Sequence, residues 1–402
     1  MRILSNDYLS NVSGSEITTK GGPPRFAADF SEYLIGHGHE WIGLVAASEA
    51  DKMSLDAKEE NERKRFVFTP KSSEGIGSFK ALPDGADWKA LFAEDGRYIE
   101  EKIAEVAPDV VFLNGFSAFN WIFANAAFTQ GIPVVIQHAG IFIREVLMYK
   151  ELFSPESQKA CAQMEREVAE KAAANIFLNK SSEKAFDKLL PGVKSAHSVI
   201  IPLPHPGWKF EAVYAPEARE EKIIGAVARW DRIKNHDALL ALAKEIKRQA
   251  LPWRLRVVTK IPENANRAEF KAEYKKFVDV VDPMGREDLQ KFYKEADVLA
   301  LPSHFDVSPT VVMEALAEGK PTLIAPEVGW VSEYEEAGMQ DWIIDYADAT
   351  AVVERLKTQF TRASWPELAA LASHVQSKHS PDAVYASYLE LFTSLSASRT
   401  NS

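Results

Sequence analysis

Leu301-Pro302-Ser303-His304-Phe305-Asp306-Val307-Ser308-Pro309-Thr310-Val311-Val312-Met313-Glu314-Ala315-Leu316-Ala317-Glu318-Gly319-Lys320-Pro321 reads as a strand end, a loop and a short helix that leads into a second strand. Val298 to Leu301 precedes this helix and Thr322 to Ala325 follows it, and both apolar runs have the length of buried strands. Ser308 is the expected N-cap and Pro309 the first helical residue, while Gly319 stops the helix. Val311, Val312, Ala315 and Leu316 then form a buried side, with Thr310 and Glu314 on a different face. Strand, helix and strand in this order is the repeating unit of a doubly wound parallel sheet.

The same alternation runs through the whole chain. Ile3-Leu4, Trp41 to Ala46, Val67-Phe68, Val110 to Leu113, Val134 to Gln137, Ile176 to Leu178 and Val199 to Ile201 make a first series of strands. Pro202 to Pro216, with Pro204 and Pro206 inside it, has no period of its own and is expected to be an interdomain linker. Ile223 to Ala228, Leu255 to Val258, Val278 to Val281, Val298 to Leu301, Thr322 to Ala325 and Trp342 to Ile344 make the second series. Between its strands Asp237 to Arg248 and Arg286 to Ala296 each carry one apolar helical face, the latter through Leu289, Phe292 and Tyr293. The expected domains are residues 1–203 and 204–380, with a C-terminal helix over 381–402 packing back on the first.

At 402 residues the chain fits two domains, and 46% hydrophobic with 26% charged residues is a globular composition. A formal net charge of -11 and the lack of a long basic stretch argue against nucleic acid as a partner. The single cysteine, Cys161, allows no internal disulfide and fits a reducing compartment as a small buried group in a helix. No apolar run reaches the ~18 residues of a membrane span, so a cytoplasmic location is expected.

Open parallel sheets bind ligands outside the carboxyl ends of their strands, so the loops there carry the functional candidates. Gly21-Gly22 ends a long loop ahead of a helix marked by Phe26, Phe30, Tyr33 and Leu34, where backbone amides can approach an anion. Arg229 closes a strand and Lys234 stands just before the next helix, a pair of cations suited to a diphosphate. Asp306 and Glu314 flank a helix start, where carboxylates accept hydrogen bonds from sugar and ribose hydroxyls. Neither G-x-G-x-x-G nor G-x-x-x-x-G-K-[ST] occurs, and no D-x-D triplet offers the usual sign of a divalent metal. No cofactor is therefore expected; the cations suit a diphosphate and the carboxylates the hydroxyls of a sugar and a ribose, the parts of a nucleoside diphosphate sugar as co-substrate.

These motifs resemble those of the retaining glycosyltransferase family 4, which has the GT-B fold of two facing Rossmann-like domains with a cleft between them. The family's hallmark is a Glu, seven residues and a second Glu inside a strand-loop-helix; this chain has Asp306, seven residues and Glu314. Pro326 to Gly338 is similar to the family's next loop, with Gly329 and, four residues later, Glu333 beside the donor. Gly36-His37-Gly38-His39-Glu40 and the spacing from Arg229 to Lys234 extend the resemblance.

The resemblance implies that Gly21, Gly22, Arg229 and Lys234 hold the donor diphosphate, that Glu314 binds the ribose, and that Asp306 lies against the transferred sugar. His138, in Val134 to Gly140, matches a family histidine near the reacting carbon, although a lone histidine after a strand is more often structural. It also implies retained anomeric configuration and a hexosyltransferase in which the donor's own phosphate oxygen takes the acceptor proton; with no D-x-D triplet, Arg229 and Lys234 are expected to take the place of a metal. Two departures stand out: Asp306 is one carbon shorter than the usual Glu, and Ile201-Pro202-Leu203-Pro204-His205-Pro206 replaces a Pro-Asn-Gly turn. A nucleotide-sugar epimerase or phosphorylase, or a non-catalytic binding subunit, uses the same fold. The acceptor, a glycan, a lipid-linked compound or a small molecule, is not legible, nor is the oligomeric state. The apolar and aromatic run Ile141 to Phe153 suits either core packing or a peripheral membrane contact.

Overall fold

The computed structural model describes residues 1–8, 11, 22–47, 64–70, 79–194, 197–211, 214–262 and 267–400. By its internal contacts the chain forms two compact units, one holding described residues up to Pro202 together with Asp382 onward, the other Leu203–Pro381.

The first unit is built on a seven-stranded parallel sheet: β1 (Arg2–Asn6), β2 (Glu40–Ala47), β3 (Lys64–Pro70), β4 (Val110–Asn114), β5 (Val134–His138), β6 (Ala174–Phe177) and β7 (Ser198–Ile200). Its order is β3-β2-β1-β4-β5-β6-β7. The chain thus moves outward from β1 to β3, then crosses to the other side of β1 to lay down β4. β1, β4, β5 and β6 are almost wholly buried, as strands must be when helices cover both faces. The C-terminal helix Pro381–Thr400 belongs to this unit from Asp382 on, and its Tyr385, Tyr388 and Phe392 enter an aromatic core with Phe26, Phe30 and Phe112. Cys161 is buried in the helix Pro155–Lys171, which Ser154 caps by accepting from the Ser157 amide.

The second unit repeats the plan with β8 (Lys222–Val227), β9 (Trp253–Val258), β10 (Asp279–Val281), β11 (Val298–Leu301) and β12 (Thr322–Ile324), in the order β10-β9-β8-β11-β12, all parallel. Gly225 in β8 lets the helix Arg286–Glu295 come close, because a Cβ there would meet Leu299 at 2.9 Å and Phe292 at 3.2 Å.

Two local expectations are corrected. Trp342 to Ile344 is not a strand: Gln340–Trp342 is a 3-10 turn, and Ile343 makes a single bridge to Ile324. Burial, not ladder pairing, explains that apolar triplet, since Trp342 packs edge-on to Trp365 at 5.6 Å and donates to Glu367. The helix after β11 starts at Val311, with Thr310 and not Ser308 at the N-cap position, and no side chain caps it. Pro309 is still in the loop, where its carbonyl accepts from the Trp330 indole at 3.2 Å. Gly319 does close the helix, in the left-handed conformation at φ 73°.

Candidate functional site

In the second unit the strand order reverses between β8 and β11, the position where open α/β sheets take their ligands. Both loops that leave this point are stitched together by named bonds. After β8, Asp231 caps the 3-10 turn Arg232–Lys234 by accepting from the Ile233 amide at 2.9 Å. Asn235 then adopts φ 54°, a left-handed conformation that asparagine tolerates, and its side chain caps the helix His236–Arg248. The same side chain donates to the carbonyl of Pro302 after β11, and the His304 amide donates to Ile233 at 2.8 Å.

Lys234 is thereby presented to Asp306, and its ammonium donates to the Asp306 carboxylate. The two side chains are only 18% and 15% exposed, so the pair is partly withdrawn from water but still reachable. Asp306 is also fixed through its backbone: it bridges Val328, and its carbonyl accepts from the Gly329 amide at 2.7 Å. The loop after β12 is in this way drawn onto the loop after β11. Trp330, buried at the head of the helix Val331–Glu336, stacks on His379 at 5.2 Å.

Glu314 projects from the helix Val311–Ala317 and is buried, its carboxylate accepting from the Tyr293 hydroxyl at 2.6 Å. Tyr293 appeared in the sequence only as part of an apolar helix face. The missed signal is chemical, because a buried tyrosine needs a partner for its hydroxyl. Glu333, in the helix Val331–Glu336, accepts from the neighbouring Ser332 hydroxyl at 2.9 Å.

Arg229 differs from Lys234: its side chain is 78% exposed and approaches Asp231 at 3.8 Å, while its backbone carbonyl accepts from His236 at 2.8 Å. In the first unit Gly22 opens the helix Gly22–Gly36, while Gly21 lies outside the described residues. Pro23 and Pro24 follow at once and carry no N–H, so of the four free amides at this helix start only those of Gly22 and Arg25 remain. His138 ends β5 fully buried, stacked on Phe177 at 4.7 Å, with Nε2 donating to Asn175 Oδ1 at 2.9 Å. Burial holds its pKa down, to about 4, and its buried Nδ1 has no partner.

The run after His138 divides its side chains. Ile141, Ile143 and Val146 are buried, whereas Leu147 and Leu152 are 41% and 54% exposed. Its helix Phe142–Met148 is capped from afar: Glu165 is buried and accepts from the Phe142 and Ile143 amides at 2.9 Å each. Burial pushes this carboxyl from the ordinary 4.5 up to about 7, against the pull of the two amides and with a further push from Glu145. A folded pKa above the unfolded one stabilises the protein at low pH, and that contribution is lost as pH rises from about 4.5 through about 7. Glu165→Gln is neutral throughout. The melting-temperature advantage of the native chain over this variant should therefore shrink between pH 5 and pH 8, by at most about 3 kcal/mol in free energy. A gap that stays constant across that range would show that Glu165 does not titrate there.

Among the described residues no group of three or more His, Cys, Asp or Glu is set to hold a metal ion, and no helix is long and apolar enough to cross a membrane. Residues 212–363, which fall in the second unit, match the family model Glycosyl transferases group 1. A stretch of 122 residues is 30% identical to EpsF of Bacillus subtilis (strain 168), a protein provisionally named a glycosyltransferase; it covers 30% of this chain and 31% of that one. The chain thus aligns with about a third of that relative's length.

Solved structures of the GT-B fold superpose on nearly the whole chain. Sucrose-phosphate synthase from Thermosynechococcus elongatus has TM-score 0.71 at 16% identity, covering 99% of this chain and 100% of that one. An E. coli trehalose-6-phosphate structure bound with UDP-2-fluoro glucose gives 0.66 at 11%, covering 98% and 99%. The UDP-forming α,α-trehalose-phosphate synthase from Burkholderia xenovorans, in complex with glucose-6-phosphate, gives 0.65 at 11%, again covering 98% and 99%. The chain is a two-domain α/β protein of the GT-B fold.

Proposed function

We propose that this chain, with its match to the Glycosyl transferases group 1 model, moves a hexosyl group from a nucleoside diphosphate sugar to a hydroxyl acceptor and retains the anomeric configuration. The observation that carries the reading is the half-buried Lys234–Asp306 pair at the β8/β11 switch point. An ammonium in a partly shielded position is suited to charge that develops on a departing diphosphate. Asp306, beside it, accepts hydrogen bonds from hydroxyls of the transferred sugar. Glu314 takes the ribose hydroxyls, for which its Tyr293 contact keeps the carboxylate oriented. Glu333 lies on the donor side, and the exposed Arg229 reaches the diphosphate from solvent. Gly22 contributes a single amide, a smaller part than a glycine-rich cradle would supply. His138, sealed against Phe177, supports the end of β5 near the reacting carbon without itself exchanging protons.

In the transfer step the acceptor oxygen bonds to the anomeric carbon on the face from which the diphosphate leaves. The carbon–oxygen bond to phosphate breaks, and the freed phosphate oxygen takes the acceptor's proton. Protein cations neutralise the leaving group, so no metal is required. Glycan, lipid-linked and small-molecule acceptors all offer the hydroxyl; the glucose-6-phosphate bound by the Burkholderia structure makes a sugar phosphate the first acceptor to try. A cytoplasmic setting goes with this reading.

The test is nucleoside diphosphate release from a panel of nucleotide sugars, with and without acceptor and with a chelator throughout. Acceptor-dependent release that persists in chelator, with the donor's configuration in the product, is expected. Release without any acceptor, or donor binding with no turnover, would overturn transfer; recovery only on adding magnesium or manganese would overturn metal independence.

A further inference from the structure

Asn235 and His236, the two residues after Lys234, reach in opposite directions. Asn235 donates to the Pro302 carbonyl at 3.1 Å, beyond the end of β11. His236 turns back to the end of β8: its Nε2 donates to the Arg229 carbonyl at 2.8 Å, and its Nδ1 accepts from the Tyr274 hydroxyl at 2.9 Å. A carbonyl can only accept, so the proton of the neutral imidazole belongs on Nε2, and Nδ1 is left to take the phenol's. Tyr274 comes from the helix Ala268–Phe277 and is fully buried, and His236 is nearly so. The imidazole also packs against Trp230 with ring centroids 4.5 Å apart, and Trp230 meets the Tyr274 ring edge-on at 5.0 Å. The loop that carries Arg229 and Lys234 is thus closed at its neck by His236 and tied across the β8/β11 reversal by Asn235.

Packing alone does not call for these polar groups. The Tyr274 ring already lies against Phe270 at 5.7 Å, a contact that a phenylalanine would keep. A buried imidazole and a buried phenol are each costly unless satisfied, and here each satisfies the other. Burial lowers the His236 pKa below its ordinary value, against the Arg229 carbonyl and the Asp231 and Asp237 carboxylates and with a further push from Lys234. Burial also raises the Tyr274 pKa, so both groups stay neutral at pH 7 and keep the one pattern of donors and acceptors. What this pattern fixes, and apolar packing would not, is the Arg229 carbonyl and through it the span of the loop between the two cations.

We infer that His236, oriented by Tyr274, is a positioning residue that holds Arg229 and Lys234 to one spacing, so that both meet the same diphosphate. Every residue of this arrangement lies in the second unit. The inference rests on the transferase reading for the diphosphate and on geometry for the staple between His236 and Arg229. The staple is read without any nucleotide, from the nitrogen-15 shifts of the His236 imidazole: at pH 7 a neutral ring protonated on Nε2 is expected. A ring protonated on Nδ1, or on both nitrogens, overturns the inference.

The functional half is read from calorimetric affinities for UDP, GDP and ADP and for the matching monophosphates. In the native chain the diphosphate that binds best should be preferred over its monophosphate, since the second phosphate meets the cations. In His236→Leu/Tyr274→Phe an apolar pair fills the buried space, and the carbonyl of Arg229, an exposed residue, can turn to water. Its melting temperature should stay near the native one while the preference for the diphosphate falls about five- to tenfold. Tyr274→Phe alone, the milder change, should lose about two- to threefold. His236→Gln, which carries an amide N–H toward the Arg229 carbonyl, should restore most of the preference that the apolar pair loses. An apolar pair with native preference overturns the inference, and so does a preference that merely follows melting temperature across the variants. A native chain that binds the diphosphates no better than the monophosphates defeats the role of the two cations and with it the functional half; the imidazole shifts decide the staple.

Discussion

Lys234→Ala is expected to lower kcat/KM for the donor by about 10- to 150-fold, the range that loss of one charge-assisted hydrogen bond of about 1.5 to 3 kcal/mol implies. The side chain stands at the strand-order reversal of the second sheet, partly shielded from water, with its ammonium on Asp306. Shielding is what gives the charge its worth, since a largely exposed cation such as Arg229 is screened by solvent and salt. Arg229→Ala should therefore cost several-fold less. Removing Lys234 also strands the Asp306 carboxylate, so the melting temperature should fall. That loss is separable from function: in Lys234→Ala/Asp306→Ala the stranded charge is gone and stability should recover in part, but activity should not. A Lys234→Ala enzyme with native donor affinity and native rate would remove this residue from the site.

How much of this was legible in the sequence depends on the range of the interaction. Strand runs such as Val110 to Leu113 and Val134 to Gln137 are local signals, and they lie inside β4 and β5. Helix starts are less secure, because a cap competes with tertiary partners. Ser308-Pro309 has the composition of a helix start, yet Trp330, from the following loop, holds the Pro309 carbonyl and the helix begins later. Trp342 to Ile344 fails for a related reason: an apolar triplet reports burial, and only the neighbouring chain decides whether burial comes with a ladder.

The candidate site was legible as a list of residues but not as a set of partners. Asp306 and Lys234 are 72 residues apart in the chain, and nothing in either segment says that they meet. Gly21-Gly22 was read as a glycine pair ahead of a helix. The two prolines that follow it, whose missing N–H groups thin out the helix start, were equally visible in the sequence. His138 needed Phe177 and Phe186, two distant aromatics that enclose it, before its environment could be known.

Asp306→Asn should reduce transfer by a factor on the order of 10² while leaving the affinity for free nucleoside diphosphate equal or slightly tighter. The substitution keeps the shape and removes the charge that engages Lys234, so the freed ammonium meets a diphosphate with less competition. Binding and transfer then move in opposite directions, which a simple folding defect does not do. The backbone bonds of Asp306, its amide to Glu327 and its carbonyl from Gly329, are available to any residue, and the substitution therefore interrogates the side chain alone. Asp306→Glu restores the carboxylate on a side chain longer by about 1.5 Å. If charge is what the sugar requires, Asp306→Glu recovers much of the transfer rate that Asp306→Asn loses. If Asp306 serves only to neutralise Lys234 in a partly buried position, both variants shift the melting temperature and neither changes turnover per folded molecule; that outcome, read from melting curves, diphosphate titrations and rates on the same preparations, would take the transferred sugar away from Asp306.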